Sequence, residues 1–186
     1  MNSRNTMLAG CIGALLGHTY LVNSQGVNWI QTPISYLSQD GNWLIHGAVL
    51  ALFALAQAAM ARHVDYRGAG MLTRCIQGFS LINAALILSL AYVFTLPDPA
   101  LHTIMLSVIA SITGINMACL IARDIAQHNH RQPAIHGIFL TIWMALIPIY
   151  LLVDASGTGA YERAVAVVFC AWLLAAAARQ PLTQRT

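Results

Sequence analysis

Six apolar stretches separated by short polar breaks constrain this chain more than any other feature. They are Met7–Asn23, Trp43–Ala61, Leu72–Leu96, Leu101–Ala122, Ala134–Val153 and Tyr161–Ala178. A helix needs about 20 mostly apolar residues to cross the hydrocarbon core of a bilayer. Helix is the only state open to such segments in lipid, because an open sheet leaves backbone groups unsatisfied there. Of the 186 residues, 58% are hydrophobic and 8% are charged. Soluble domains carry about 25% charged residues, so a water-covered surface is excluded. The expectation is an all-α, polytopic membrane protein: one six-transmembrane-helix bundle forming a single membrane domain over residues 1–186.

The breaks carry turn chemistry: Gln39-Asp40-Gly41-Asn42, Arg67-Gly68-Ala69-Gly70, Pro97-Asp98-Pro99, the stretch His128–Pro133, and Asp154–Gly159. Met1–Thr6 is short and polar, and the apolar run after it contains His18, which favours a retained first helix over a cleaved signal peptide. The chain has no lysine, so its cations are nine arginines. They are scattered among breaks rather than grouped, which argues against nucleic acid as a partner. Arg4, Arg62, Arg67, Arg74, Arg123, Arg131, Arg179 and Arg185 fall on one side of a six-span topology, and Arg163 alone on the other. Cytoplasmic loops collect arginine. The expected location is therefore a bacterial cytoplasmic (inner) membrane with both termini inside. Trp29, Tyr36 and Trp43 then fall at the outer interface, where amphipathic rings are favoured.

Small residues recur at helical spacing. Gly10, Ala14 and His18 share a face of the first stretch, beside Gly13 and Gly17. Gly47 and Ala51, Ser107 and Ser111, Gly114 and Ala118, and Gly137, Thr141 and Ala145 repeat the pattern, which lets helices approach closely in lipid. Cys11, Cys75, Cys119 and Cys170 lie in or beside apolar stretches with no CxxC spacing, and read as small buried hydrophobes. The one long connection, Ser24–Asn42, mixes aromatic and polar residues and reads as a segment lying on the outer surface.

The topology sorts the ionisable residues. His46 and His102 open two inward-running helices, and His18 lies past the midplane of the first helix toward the same face. Asp40, Asp98, Asp154, Glu162, Ser35 and Ser38 fall at that outer end. The inner end holds Asp65, Asp124, His63, His128, His130 and His136. Ionisable groups within a membrane are costly and mark function. The candidate ligand-binding set is therefore Ser35, His18, His46, Asp98 and His102. Asn83 and Gln77 read as groups that hydrogen-bond between helices.

Three chemistries fit this set. It can hold a membrane lipid headgroup or a small polar ligand. His18, His46 and His102 can hold zinc with an open position for water, as a hydrolase requires, although no HxxxH or HExxH pair is present. His46 and His102, at matching depth, can hold one b-type haem. That last arrangement resembles the outer haem site of the cytochrome b561 family, whose second site has no counterpart here because the third stretch lacks histidine. A broader resemblance rests on Pro33-Ile-Ser-Tyr-Leu-Ser, Gly47, and Leu96-Pro-Asp-Pro-Ala-Leu-His102-Thr. Across residues 7–180 these resemble the DUF998 family of six-helix membrane proteins, similar in style to Frag1/DRAM-like proteins. The resemblance implies fold and location, not an activity. Whether the chain binds or catalyses stays open from sequence.

Overall fold

The structure, a computed structural model, describes residues 2–38, 42–64, 70–93, 99–127, 131–153 and 157–178. These residues form six α-helices and no strand: α1 (Ser3–Gln25), α2 (Trp43–His63), α3 (Met71–Val93), α4 (Pro99–Ala126), α5 (Arg131–Leu152) and α6 (Thr158–Ala177). A short 3-10 helix, Ile34–Ser38, lies between α1 and α2. Five helices, α2 to α6, are long and apolar enough to cross a membrane by length and composition, which makes this a multi-pass membrane protein. The first helix falls outside that group. His18, Asn23, Ser24 and Gln25, with three glycines, dilute its apolar character.

Local chemistry sets several boundaries. Asn2 caps α1, its side chain accepting from the Arg4 N–H, so the helix starts before the apolar stretch does. Gly26 ends α1 at φ 61°, a left-handed conformation that glycine adopts without strain. Pro99 stands first in α4, where its missing N–H costs no helical bond.

Neighbouring helices run antiparallel and close a ring: α1 packs on α2 and α6, α2 on α3, α3 on α4, α4 on α5, and α5 on α6. A further contact between α2 and α6 crosses the ring. The tightest seam is α1 on α2. A Cβ added at Gly10 would meet the Leu52 carbonyl oxygen at 2.7 Å and the Ala56 Cβ at 2.9 Å. One added at Gly17 would meet Val49 Cγ2 at 2.7 Å. The glycine-rich face of α1 is thus a packing face, as its spacing suggests.

The other small-residue faces behave differently. A Cβ at Gly137 would meet nothing within 4 Å. Ser107, Ser111, Thr141 and Ala145 are exposed. The serine and threonine hydroxyls instead donate to carbonyls four residues back. Spacing alone does not say which face of a helix looks inward: Ser107 and Ser111 of α4 and the α5 stripe look outward, while Gly114 of α4 lies against Trp143, 3.6 Å from where its Cβ would be.

Phe169 of α6 lies at the centre of the core. Its ring centroid is 6.2 Å from Phe53, 6.4 Å from Trp143 and 6.0 Å from Trp172, joining α2, α5 and α6. Trp143 Nε1 donates to the Ala110 carbonyl at 2.9 Å and ties α5 to α4. Between α3 and α4, Asn83 donates to Thr113 at 2.8 Å and Asn116 donates to Ser80 at 2.9 Å, with all four buried. Gln77 donates to the Val64 carbonyl at 3.2 Å. Asn83 and Gln77 are thus the interhelical groups expected of them. Cys11 and Cys170 are buried free thiols on α1 and α6.

Candidate functional site

The antiparallel ring gathers the C-terminus of α1 and the N-termini of α2, α4 and α6 at one end of the bundle. Gly47 of α2 approaches Ala91 of α3, and Asn83 of α3 bonds Thr113 of α4. Counting outward from both pairs puts His46 and His102 at nearly the same level. His18 of α1 follows about half a turn below, since Gly17 faces Val49. His18 and His102 both lie within electrostatic reach of His46. The three histidines singled out from sequence therefore converge from three helices. His46 is 1% exposed, while His18 and His102 are half-buried. Each imidazole carries two ring nitrogens that can donate or accept, so the set suits a polar ligand.

A fourth helix adds Arg163. Its guanidinium lies within electrostatic reach of His18. Nη1 faces three backbone carbonyls: Trp29 at 2.7 Å, Thr32 at 2.8 Å and Gly159 at 2.8 Å. Ala160 N–H donates to the Ile30 carbonyl at 2.9 Å. Glu162 accepts from the Ile34 N–H. Gly159 sits against the Thr32 carbonyl so closely that no Cβ fits there. Residues 29–34 are thereby strapped to the first turn of α6.

The rest of the connection folds inward. Gln25 donates to the Leu37 carbonyl at 3.1 Å. Leu37 is fully buried in a small core with Ala14, Leu21 and Val49. The long connection thus covers the bundle end as its length suggests. Trp29, Tyr36 and Trp43 remain more than half exposed around it.

Two expected members are not placed. Asp98 lies outside the described residues, as do Asp40 and Asp154. Ser35 falls within the Ile34–Ser38 turn, but its side chain lies outside the described part. Among the described residues, no group of three or more His, Cys, Asp or Glu side chains is arranged to hold a metal ion. The zinc arrangement of His18, His46 and His102 therefore gains no geometric support.

Two shallow grooves lie nearby. One of about 340 Å³ follows the exposed face of α4 along Thr103, Ser107 and Ser111. The other, of about 350 Å³, lies over the strap between Thr32, Tyr36 and Thr158. At the opposite bundle end, His136 Nε2 stands 3.7 Å from Asp124 Oδ2 between α5 and α4, both fully buried. That pair is a second polar locus and shares no residue with the first.

Arg163 is the residue that sequence reasoning passed over as a site member. It was legible as the only arginine on its side of the topology, and charge counting treats such a residue as the minority vote. Its real signal is position: a lone cation six residues into α6, beneath a loop rich in backbone carbonyls. In comparisons with known proteins, no family model, no curated protein and no solved structure matches this chain.

Proposed function

We propose that this protein is a six-span bundle of the bacterial inner membrane that binds a lipid headgroup or a small polar ligand in its outer half. The observation that carries the reading is the convergence of His18, His46 and His102 from three helices beneath a strapped loop. Ionisable side chains inside a membrane protein are costly and mark function by default. The exposed ring of Trp29, Tyr36 and Trp43 supports an interfacial depth for this end. The arginine count supports an outward orientation for it.

The test is native mass spectrometry of the purified protein. A co-purifying lipid or small polar molecule should appear on the wild-type chain. His46→Ala and His102→Ala should lose it while the variants stay folded. Wild-type and variant protein carrying the same adducts would refute the reading. A single b-type haem between His46 and His102 is the second reading, favoured by their shared level and mutual reach. A Soret band in the absorbance of the purified protein would establish it and displace the headgroup from those two residues.

A further inference from the structure

We propose that the outer site takes an oxyanion, phosphate or carboxylate, seated on the Nε/Nη2 edge of Arg163 with His18 as its second partner. This rests on the reading of the site as a headgroup or polar-ligand pocket, and adds the ligand's charge and its anchor. A guanidinium presents five N–H donors in a planar fork. In Arg163 only one corner is engaged: Nη1, shared among the carbonyls of Trp29, Thr32 and Gly159. Nε and Nη2 are buried and have no hydrogen-bond partner in the protein. Those two nitrogens form the side of the fork whose parallel N–H bonds match two oxygens of a carboxylate or phosphate.

The neighbouring residues support the same assignment. His18 Nε2 is also buried without a hydrogen-bond partner, and His18 lies within electrostatic reach of Arg163. Glu162 is the adjacent carboxylate, and it acts on Arg163 electrostatically. Its Oε2 accepts from the Ile34 backbone, and it makes no hydrogen bond to the free edge. A neutral ligand could accept from the fork but would leave its charge met only by the adjacent Glu162. An oxyanion satisfies both donors and the charge at once. The strap fixes the guanidinium plane through backbone bonds, so the edge is preorganised.

The test uses the full chain in detergent with three probes: short-chain phosphatidylglycerol, a diacylglycerol glucoside of equal chain length, and inorganic phosphate. Binding is read by native mass spectrometry. Hydrogen exchange over residues 27–34 reports whether the strap is intact. Phosphatidylglycerol should bind the wild type at least tenfold tighter than the neutral glucoside. Arg163→Lys keeps a cation and a donor for the carbonyls but removes the paired edge. It should weaken phosphatidylglycerol binding about tenfold or more, the usual scale for a lost charge-assisted hydrogen bond. His18→Leu leaves every bond of the strap in place and should weaken binding at least threefold, which decides the matter if the lysine variant loosens the loop.

Competition by inorganic phosphate at similar affinity identifies a free phosphate ligand. Lipid binding without such competition identifies a headgroup. Either supports the oxyanion. Glucoside and phosphatidylglycerol binding equally, with neither variant changing the affinity, overturns it. If that binding still depends on His46 and His102, the pocket reading survives. If no amphiphile or phosphate binds the wild type, both fall.

Discussion

Alanine at Gly10 and at Gly137 should change stability in opposite directions, although both sites are helical glycines in stripes of small residues. In either helix, alanine gains about 0.5–1 kcal/mol over glycine from backbone entropy. At Gly137 that gain stands alone, because the new Cβ would meet nothing within 4 Å. At Gly10 the Cβ would lie 2.7 Å from the Leu52 carbonyl oxygen and 2.9 Å from the Ala56 Cβ. Comfortable contacts begin at about 3.5 Å, so α1 must retreat from α2 by most of an ångström. The obstructing atoms belong to backbone and a Cβ, and no rotamer change removes them. Overpacking of this kind costs about 1–3 kcal/mol. Because the helix-propensity gain is common to both variants, their difference isolates the overpacking cost. Equilibrium unfolding by SDS titration in one mixed-micelle system should place Gly10→Ala below Gly137→Ala by that amount, roughly 5- to 150-fold in the unfolding constant. Gly17→Ala should fall between them, because its obstacle is the side-chain atom Val49 Cγ2. A Gly10→Ala protein as stable as Gly137→Ala would refute the close approach of α1 and α2.

Reporter fusions after Arg67, after Arg131 and at Thr186 should read cytoplasm, and fusions near Gln31 and Gly157 should read the outside. The reverse pattern would turn the histidine end of the bundle inward. Asn116→Ala removes the donor to buried Ser80 and should destabilise the bundle by about 0.6–2 kcal/mol, the range for hydrogen bonds between membrane helices. An unchanged unfolding midpoint would show that α3 and α4 hold together without it. Trp143→Phe keeps the aromatic contact with Phe169 but deletes the donor to the Ala110 carbonyl, and should cost about 0.5–1.5 kcal/mol in the same assay.

The six helices and their approximate bounds were legible from apolar run length, although only α2 to α6 are apolar enough to cross a membrane by length and composition. Which face of each helix turns inward was legible only in part. On α1 the glycines fall where α2 presents the Leu52 carbonyl and Ala56, and the face is interior. On α5 the same spacing at Gly137, Thr141 and Ala145 looks outward, because Trp143 and His136 supply the buried face there. In a soluble protein, polarity would separate the two faces. In lipid both are apolar, so that signal vanishes, and the choice is made by where a bulky or polar partner lies on the neighbouring helix.

The site shows the same division. Depth along a helix is a one-dimensional quantity, and counting residues placed His18, His46 and His102 at a common end. Their lateral convergence depends on ring order, and on a loop whose backbone carbonyls no side-chain pattern encodes. Arg163 belongs to that second kind of information. By count it is a lone exception to an arginine bias. In the fold it is the residue that ties the strap down through Nη1, while its Nε and Nη2 are buried without a protein partner. On the proposed oxyanion reading, a ligand that draws on Nε and Nη2 would also orient the corner holding Trp29, Thr32 and Gly159. Binding and covering of the site are, on that reading, a single event with two readouts. Ligand occupancy should slow hydrogen exchange where the strap meets α6, most strongly at the Ala160 N–H that bonds the Ile30 carbonyl. Exchange there that ignores a bound oxyanion would separate the two roles and leave Arg163 with the strap alone.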